Sequence, residues 1–317
     1  MADDAGAVAA LDCGTNSTRL LIADGRGEIL EREMRITRLG EAVDATHKLS
    51  ADAIGRTVAV LRDYKTMMDA HGVTRARLVA TSAARDAVNA DEFFCAAEDV
   101  TGVRPELLSG LEEGRLSFAG ATASLPADVR GTQSVLVVDI GGGSTELVTA
   151  APPAPSGGGG TGEVAAVSLD IGCVRLTERF FHHDPPLGPE LADARAVVEA
   201  EVGRARAELP LMDGDGILIG LAGTVSTLAA LALELPRYER ARIHHAVLSR
   251  DQVEVWLERL ASEDRRARLA RPGMVEGRAD VIVGGVVVLA AVMAGFDRST
   301  CLVSEDDILD GMVASIL

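Results

Sequence analysis

Lysine is almost missing from this chain. Lys48 and Lys65 are the only two in 317 residues, and 31 basic residues face 48 acidic ones, for a formal charge of −17. So acidic a chain binds nucleic acid or anionic membrane poorly, and neither is expected as a partner. A polyanion must instead be met by arginines, hydroxyls and backbone N–H groups. Cysteine is scarce too: Cys13, Cys95, Cys173 and Cys301 are scattered, with no C-x-x-C pair. That excludes a disulfide framework or zinc knuckle and fits a reduced, cytoplasmic protein. No apolar run reaches membrane length. The most apolar stretch, Val281 to Gly295, lies between Asp280 and Asp297. It falls short of the ~20 residues a span needs, so it predicts a buried helix. The start, MADDAGAVAALD, lacks a basic region before its apolar run, and no signal peptide is expected.

What remains is an ordinary globular composition, 47% apolar and 25% charged, long enough for about two domains at ~150 residues each. Val8 to Asp12 is a short apolar run ending in Asp-x-Gly, followed by strand-like runs at Ser17 to Ile22 and Glu28 to Arg35. Ser50 suits an N-cap. Behind it Ile54, Val58, Leu61 and Met68 recur at the spacing of a buried helix face. Leu78 to Thr81 reads as a strand; Asp91 to Thr101 and Glu112 to Gly120 read as helices.

After a polar break at Pro126 to Thr132, the run Ser134 to Val138 again leads into Asp-x-Gly. ALDCGTNSTRLL (10–21) laid over VVDIGGGSTELV (137–148) matches Asp12/Asp139, Gly14/Gly141, Ser17/Ser144, Thr18/Thr145 and Leu20/Leu147. Both copies open a strand–turn–strand pattern, so the chain reads as an internal duplication. Ala151 to Gly162 (APPAPSGGGGTG) looks like a linker, but strand-like runs flank it, so it is taken as a long hairpin tip. The domain boundary is placed near Pro126, giving domains 1–126 and 127–317, the last helix packing back on the first. Pro189 to Leu209 carries an apolar stripe through Leu191, Ala194, Val198, Val202, Ala205 and Leu209. Ser249 to Gln252 is a capping box before Val253, Trp256, Leu257 and Leu260. Strands alternate with helices in both halves, which predicts an α/β class with some antiparallel hairpins.

The second turn, Asp139-Ile-Gly-Gly-Gly-Ser-Thr-Glu146, has three successive glycines without Cβ atoms. Their N–H groups can converge closely on an anion. Ser144 and Thr145 add hydroxyls, and Asp139 at the strand end suits a hydrated divalent cation beside phosphate oxygens. The first turn, from Asp12 through Gly14, Thr15 and Asn16 to Ser17, offers the same acid, one glycine and more side-chain donors. No G-x-x-x-x-G-K-[ST] occurs. Gly141–Gly143 is not the dinucleotide loop either, because Leu147 and Val148 continue a strand where that loop starts a helix.

With these paired turns the chain resembles the actin-like ATPase superfamily, and within it the exopolyphosphatase / guanosine pentaphosphate phosphatase family. The residues that carry the resemblance are the DCGTNS turn, ATSAARDAVN (80–89), SGLEEGRLSF (109–118), DIGGGSTELV (139–148), GCVRLTERF (172–180), LAGTVSTLAAL (221–231) and RPGMVEGRADVIVGG (271–285). The resemblance implies two ribonuclease-H-like domains with an interdomain cleft. It also implies Mg²⁺-dependent hydrolysis of a terminal phosphoanhydride, of inorganic polyphosphate or of guanosine pentaphosphate, and a homodimer as in many members. Longer relatives add a C-terminal helical domain; this chain resembles the short form.

Glu113 aligns with the family's catalytic base, with Glu146 as the rival and Glu112 as a solvated helix-start carboxylate. Asp12, Asp139 and Glu146 correspond to the family's Mg²⁺ and phosphate-site acids. Arg85, Arg175 and Arg278 could clamp phosphate bidentately. Gly223 and Thr224, in Gly220 to Leu228, stand where the superfamily binds adenosine; close packing at a strand-to-helix turn is an equal reading. Asp170 adds a carboxylate near the second linking motif. His182-His183-Asp184 reads as a surface turn rather than a metal site. The rival functions are a nucleoside triphosphate phosphohydrolase, a phosphotransferase needing an acceptor, and a nucleotide-binding regulator without activity.

Overall fold

Two hairpins of identical register organise the fold. In a computed structural model of the protein, which describes residues 6–125, 134–150, 164–210 and 216–317, β1 (Val8–Cys13) pairs antiparallel with β2 (Ser17–Ala23), Asp12 facing Arg19. Far along the chain, β6 (Val135–Ile140) pairs in the same way with β7 (Thr145–Ala150), Asp139 facing Glu146. The chain divides into two compact units, residues 1–120 with 308–317, and residues 121–307. The polar break at Pro126 to Thr132 and the Ala151 to Gly162 run lie outside the described residues.

The first unit continues with β3 (Ile29–Ile36), α1 (Val43–Thr46), α2 (Ala51–Ala70), β4 (Arg75–Ala80), α3 (Ser82–Asp86), α4 (Ala90–Thr101), β5 (Glu106–Leu107) and α5 (Gly110–Ala123). Its sheet runs β3-β2-β1-β4-β5, with β1 parallel to β4. Strand β1 shows why both sheet faces are covered. Ala9, Leu11 and Cys13 join one apolar cluster with Leu61, Tyr64 and Phe93 of α2 and α4. Val8 and Ala10 join another with Ile308, Leu309 and Met312 of the last helix, which runs Ile308–Ile316. The period of two in a strand splits its residues between those cores. Ser50 caps α2 by accepting from the Ala53 amide. The buried face of α2 is Ala53, Thr57, Leu61, Tyr64 and Met68, so the expected face through Ile54 and Val58 is corrected by a small rotation. Tyr64 defines it, because its buried hydroxyl donates to the Thr18 carbonyl at 3.0 Å.

The second unit repeats the order. After β7 come β8 (Val164–Leu169), α6 (Cys173–Phe180), α7 (Gly188–Glu208), β9 (Ile217–Leu221), α8 (Ala222–Ala232), α9 (Arg240–Ile243), β10 (Val247–Ser249), α10 (Arg250–Ala261), α11 (Arg265–Leu269), α12 (Ile282–Gly295) and β11 (Thr300–Val303). The last helix is then α13. The sheet reads β8-β7-β6-β9-β11-β10, with β6 parallel to β9. Third, second, first and fourth strands thus stand side by side in both units, followed by the fifth in the first unit and by the sixth and then the fifth in the second, which makes each a ribonuclease-H-like α/β domain. Strand β6 is buried along its whole length, as expected of a strand covered on both faces. The apolar stretch expected to be a buried helix is α12, buried on nearly every side and packed by α6, α7, α8 and α10. Gly284 and Gly285 let it approach closely: a Cβ would stand 2.8 Å from the Cys173 carbonyl oxygen and 2.2 Å from Thr224 Oγ1. The capping box of Ser249 and Gln252 starts α10. Among the described residues no helix is long and apolar enough to cross a membrane.

Candidate active site

Each hairpin turn is held by its carbonyls. In the first unit Gly14 N donates to Ser17 O at 3.0 Å, closing the turn. Thr37 N and Arg38 N donate to Asn16 O, and Gly40 N to Thr15 O. A Cβ on Gly40 would stand 2.4 Å from Thr15 Cγ2, so the segment after β3 lies hard against the turn. Arg38 takes the left-handed conformation there, at φ 50°, a strain that functional loops often carry. Asp12, Thr15 and Asn16 are buried. The Thr15 hydroxyl is buried with no hydrogen-bond partner, and such a group calls for a ligand or water.

The second turn repeats the device. Gly141 N donates to Ser144 O, while the carbonyls of Gly141 and Gly142 accept from the amides of Cys173, Val174 and Arg175 at the start of α6. Arg175 Nε bonds the Gly143 carbonyl at 2.7 Å, so that arginine braces the turn. Gly172 permits this docking, since a Cβ would stand 2.4 Å from the Gly142 carbonyl oxygen. With the carbonyls engaged, the amides of Gly142 and Gly143 donate to no acceptor among the described residues. Thr145 is turned inward and donates to Ile171 O at 2.6 Å. Ser144 is buried beside it.

The acids differ between the hairpins. Arg19 grips Asp12 Oδ2 with Nε at 3.0 Å and Nη2 at 2.6 Å, a charge-assisted fork. In the second hairpin the residue opposite Asp139 is another acid, Glu146, 1% exposed. Ser168 on β8 donates to Glu146 Oε1 at 2.8 Å.

At the start of α5 the two adjacent glutamates part company. Glu112 Oε2 accepts from the Ser109 amide at 3.0 Å and hydroxyl at 2.7 Å, and the Glu112 amide donates back to Ser109 Oγ. Those bonds hold the Glu112 carboxyl below its ordinary pKa and make it a capping-box residue. Glu113 instead meets Arg85 of α3, Nη1 to Oε2 at 2.7 Å, and the same nitrogen bonds the Leu108 carbonyl.

The second unit also joins Gly223 to Arg278. A Cβ on Gly223 would fall 1.9 Å from Arg278 Cζ, so the guanidinium lies directly on the first turn of α8. Thr224 is buried next to it, and Ala222 enters the helix at φ 66°. Asp170 is exposed. Asp184 holds the buried Arg268 and accepts from the Arg265 amide, while His183 Nδ1 meets Glu190 at 2.7 Å.

Sequence reasoning missed Arg19, Ser168, Gly172 and the Thr37–Gly40 brace. A signal for Arg19 existed. It is the mismatch at the position facing the aspartate, where the second copy has Glu146.

The Ppx/GppA phosphatase family model matches residues 21–317. The chain belongs to that family. It is 44% identical to Exopolyphosphatase 2 of Mycobacterium tuberculosis over 98% of both chains. It is 30% identical to the bifunctional 3-dehydroquinate synthase/phosphatase of Fusobacterium nucleatum, over 96% of this chain and 46% of that one. A crystal structure of an exopolyphosphatase-like protein superposes with a TM-score of 0.91 at 36% identity, covering 98% of each chain. The Ppx/GppA family member of Aquifex aeolicus gives 0.77 at 33% identity, over 98% of this chain and 97% of that one.

Proposed function

We propose that the protein is an exopolyphosphatase, releasing orthophosphate from the end of inorganic polyphosphate. One observation carries the reading: both duplicated turns have their carbonyls tied to neighbouring segments, leaving donors, the Gly142 and Gly143 amides and the Thr15 hydroxyl, without acceptors. Donors arranged so, in a chain of formal charge −17, suit phosphate oxygens and little else. Gly14, Asn16, Ser17, Gly141, Ser144 and Thr145 belong to the same cradles. The names of the relatives support the same substrate class.

In this reading Glu113 orients a water and accepts its proton as the water attacks the terminal phosphorus in line. The turn donors position the phosphate chain, since phosphoryl transfer depends mainly on positioning and charge stabilisation. Asp139 and Glu146 fit a divalent cation: two buried carboxylates face each other across one strand pair and offer oxygen ligands at one place. Their oxygens suit a hard ion such as Mg²⁺. They would hold that ion, which would screen the phosphate oxygens, while Asp12 of the first turn is engaged by Arg19. Glu146 then serves the cation, and Glu113 the proton.

A guanosine pentaphosphate or nucleoside triphosphate phosphohydrolase is the second reading. It is favoured by the Arg278 guanidinium against Gly223 at the start of α8, where a further anionic group could be met. Phosphate release from polyphosphate, guanosine pentaphosphate and ATP, assayed side by side with Mg²⁺, separates the two. Polyphosphate is expected to be hydrolysed fastest and without an added acceptor. A requirement for an acceptor would make the protein a phosphotransferase.

A further inference from the structure

The ion pair between Arg85 and Glu113 has a use beyond clamping substrate. We infer that Arg85 is a positioning residue for the general base: it fixes the Glu113 carboxylate in place. This rests on the reading of Glu113 as the base.

Three observations lead there. First, the contact is close and partly shielded, 2.7 Å between Arg85 Nη1 and Glu113 Oε2, with the side chains 21% and 12% exposed. Second, Arg85 is itself anchored, because Nη1 also bonds the Leu108 carbonyl at 2.9 Å. A guanidinium tied to backbone cannot swing freely, so the oxygen it holds is fixed in place. Third, the capping box occupies Glu112 with Ser109, which sets the register of the first turn of α5 and turns the next residue toward α3. Helix start, arginine and carboxylate form one rigid unit. Holding one carboxylate oxygen determines where the other points, and a base must be aimed before it can act.

Electrostatics follow from the same geometry. A cation in hydrogen-bond contact favours the charged form of a carboxylate. The other charged groups of this corner have assignments of their own. Arg77 of β4 pairs with Glu106 of β5 at 2.8 Å, and Asp310 of α13 pairs with Arg32 of β3 at 2.5 Å. Asp86 lies beside Arg85 on α3, and Arg115 two residues past Glu113 on α5. Neither is a substitute for a guanidinium in hydrogen-bond contact.

The test compares Arg85→Gln, Arg85→Lys and Glu113→Gln in the full-length protein, with polyphosphate and Mg²⁺, from pH 5 to 9. Arg85→Gln is expected to lower kcat by roughly 10- to 100-fold, within the range a general base contributes. Its acid limb should move to higher pH, with KM nearly unchanged. Arg85→Lys should keep the acid limb of the wild type and recover part of kcat. A rise in KM at unchanged kcat, or an unmoved acid limb in Arg85→Gln, would show a substrate clamp and overturn the inference. If Arg85→Gln melts too low to assay, Arg85→Lys decides alone by the same split between kcat and KM. Near-wild-type turnover of Glu113→Gln would overturn the base reading itself. Loss of its turnover and of its acid limb, with an unshifted Arg85→Gln profile, would overturn only the role of Arg85.

Discussion

Arg19 stands in the first hairpin where Glu146 stands in the second. Each faces the penultimate residue of its partner strand, Asp12 and Asp139, in the same register. The duplication has therefore kept one acid and reversed the charge beside it. In the first hairpin the guanidinium balances Asp12 internally. In the second, two buried carboxylates face each other.

This asymmetry predicts separate consequences for the two hairpins. Glu146→Gln should weaken Mn²⁺ or Mg²⁺ binding about tenfold or more, since even groups behind the ligands are worth that much. Calorimetry without substrate would measure it. Arg19→Met should leave metal affinity closer to wild type but remove the partner of a buried carboxylate, at about 3 kcal/mol, the low end for such pairs. Adding Asp12→Asn should restore part of that loss, because coupled residues are not additive. Equal effects of Arg19→Met and Glu146→Gln on metal binding would contradict the asymmetry.

Two glycines test the turn and the arginine independently. Gly172 has extended backbone, φ −155°, so only space limits it. Its Cβ would meet the Gly142 carbonyl oxygen at 2.4 Å. Backbone cannot yield cheaply, so Gly172→Ala should lose about 1–3 kcal/mol, or about 2–4 °C of melting temperature per kcal/mol in a unit of this size, together with turnover. Gly223→Ala meets instead the end of a long side chain, Arg278 Cζ at 1.9 Å. The guanidinium can move, so melting should stay near wild type. If Arg278 binds anion, KM should rise about tenfold, as for one lost charged hydrogen bond.

How far the site was legible from sequence depended on whether a residue acts through its neighbours along the chain or across the sheet. The paired turns, the Ser50 and Ser249 caps and the α12 core helix all depend on local chemistry and periodicity. They were readable at Asp12, Asp139, Gly141–Gly143 and Val281 to Gly295. The Arg19–Asp12 pair depends on hairpin register, which Asp-x-Gly motifs alone do not specify. The brace at Gly172 and the seat of Arg278 on Gly223 depend on contacts between segments 30 and more residues apart in sequence. A lone glycine or arginine carries no sign of such a partner. The buried face of α2 was misplaced for a related reason: the polar hydroxyl of Tyr64 hid a core residue.

The cysteines give a check on the packing under both turns. Burial raises the pKa of Cys13 and Cys173 and pushes the Cys301 thiol up to about 12. Cys95 is exposed. At pH 8, native protein should therefore lose one thiol to iodoacetamide, at Cys95, with the other three modified only after denaturant. Thiolates are the reactive species and buried thiols stay protonated. Rapid native labelling of Cys13 or Cys173, read by peptide mass spectrometry, would mean that the turns open far more than this packing allows.

The last helix lies against the helix that carries Glu113. A Cβ on Gly311 of α13 would stand 2.1 Å from the Leu116 carbonyl oxygen of α5, one turn from Glu113. The glycine is what allows α13 to lie against the backbone of the helix that carries Glu113. Gly311→Ala should push the two apart, costing about 1–3 kcal/mol of stability by overpacking. Because displacements near 1 Å can cost up to about 10²-fold in rate, kcat should fall about tenfold or more with KM unchanged, although Gly311 touches no substrate. Ser315→Ala on the same helix is the control. It removes the contacts of Ser315 Oγ with Arg77 and the Met312 carbonyl but leaves the approach to α5 intact, so kcat should hold. Equal losses in the two variants would mean that general loosening of α13, and not the position of α5, governs turnover.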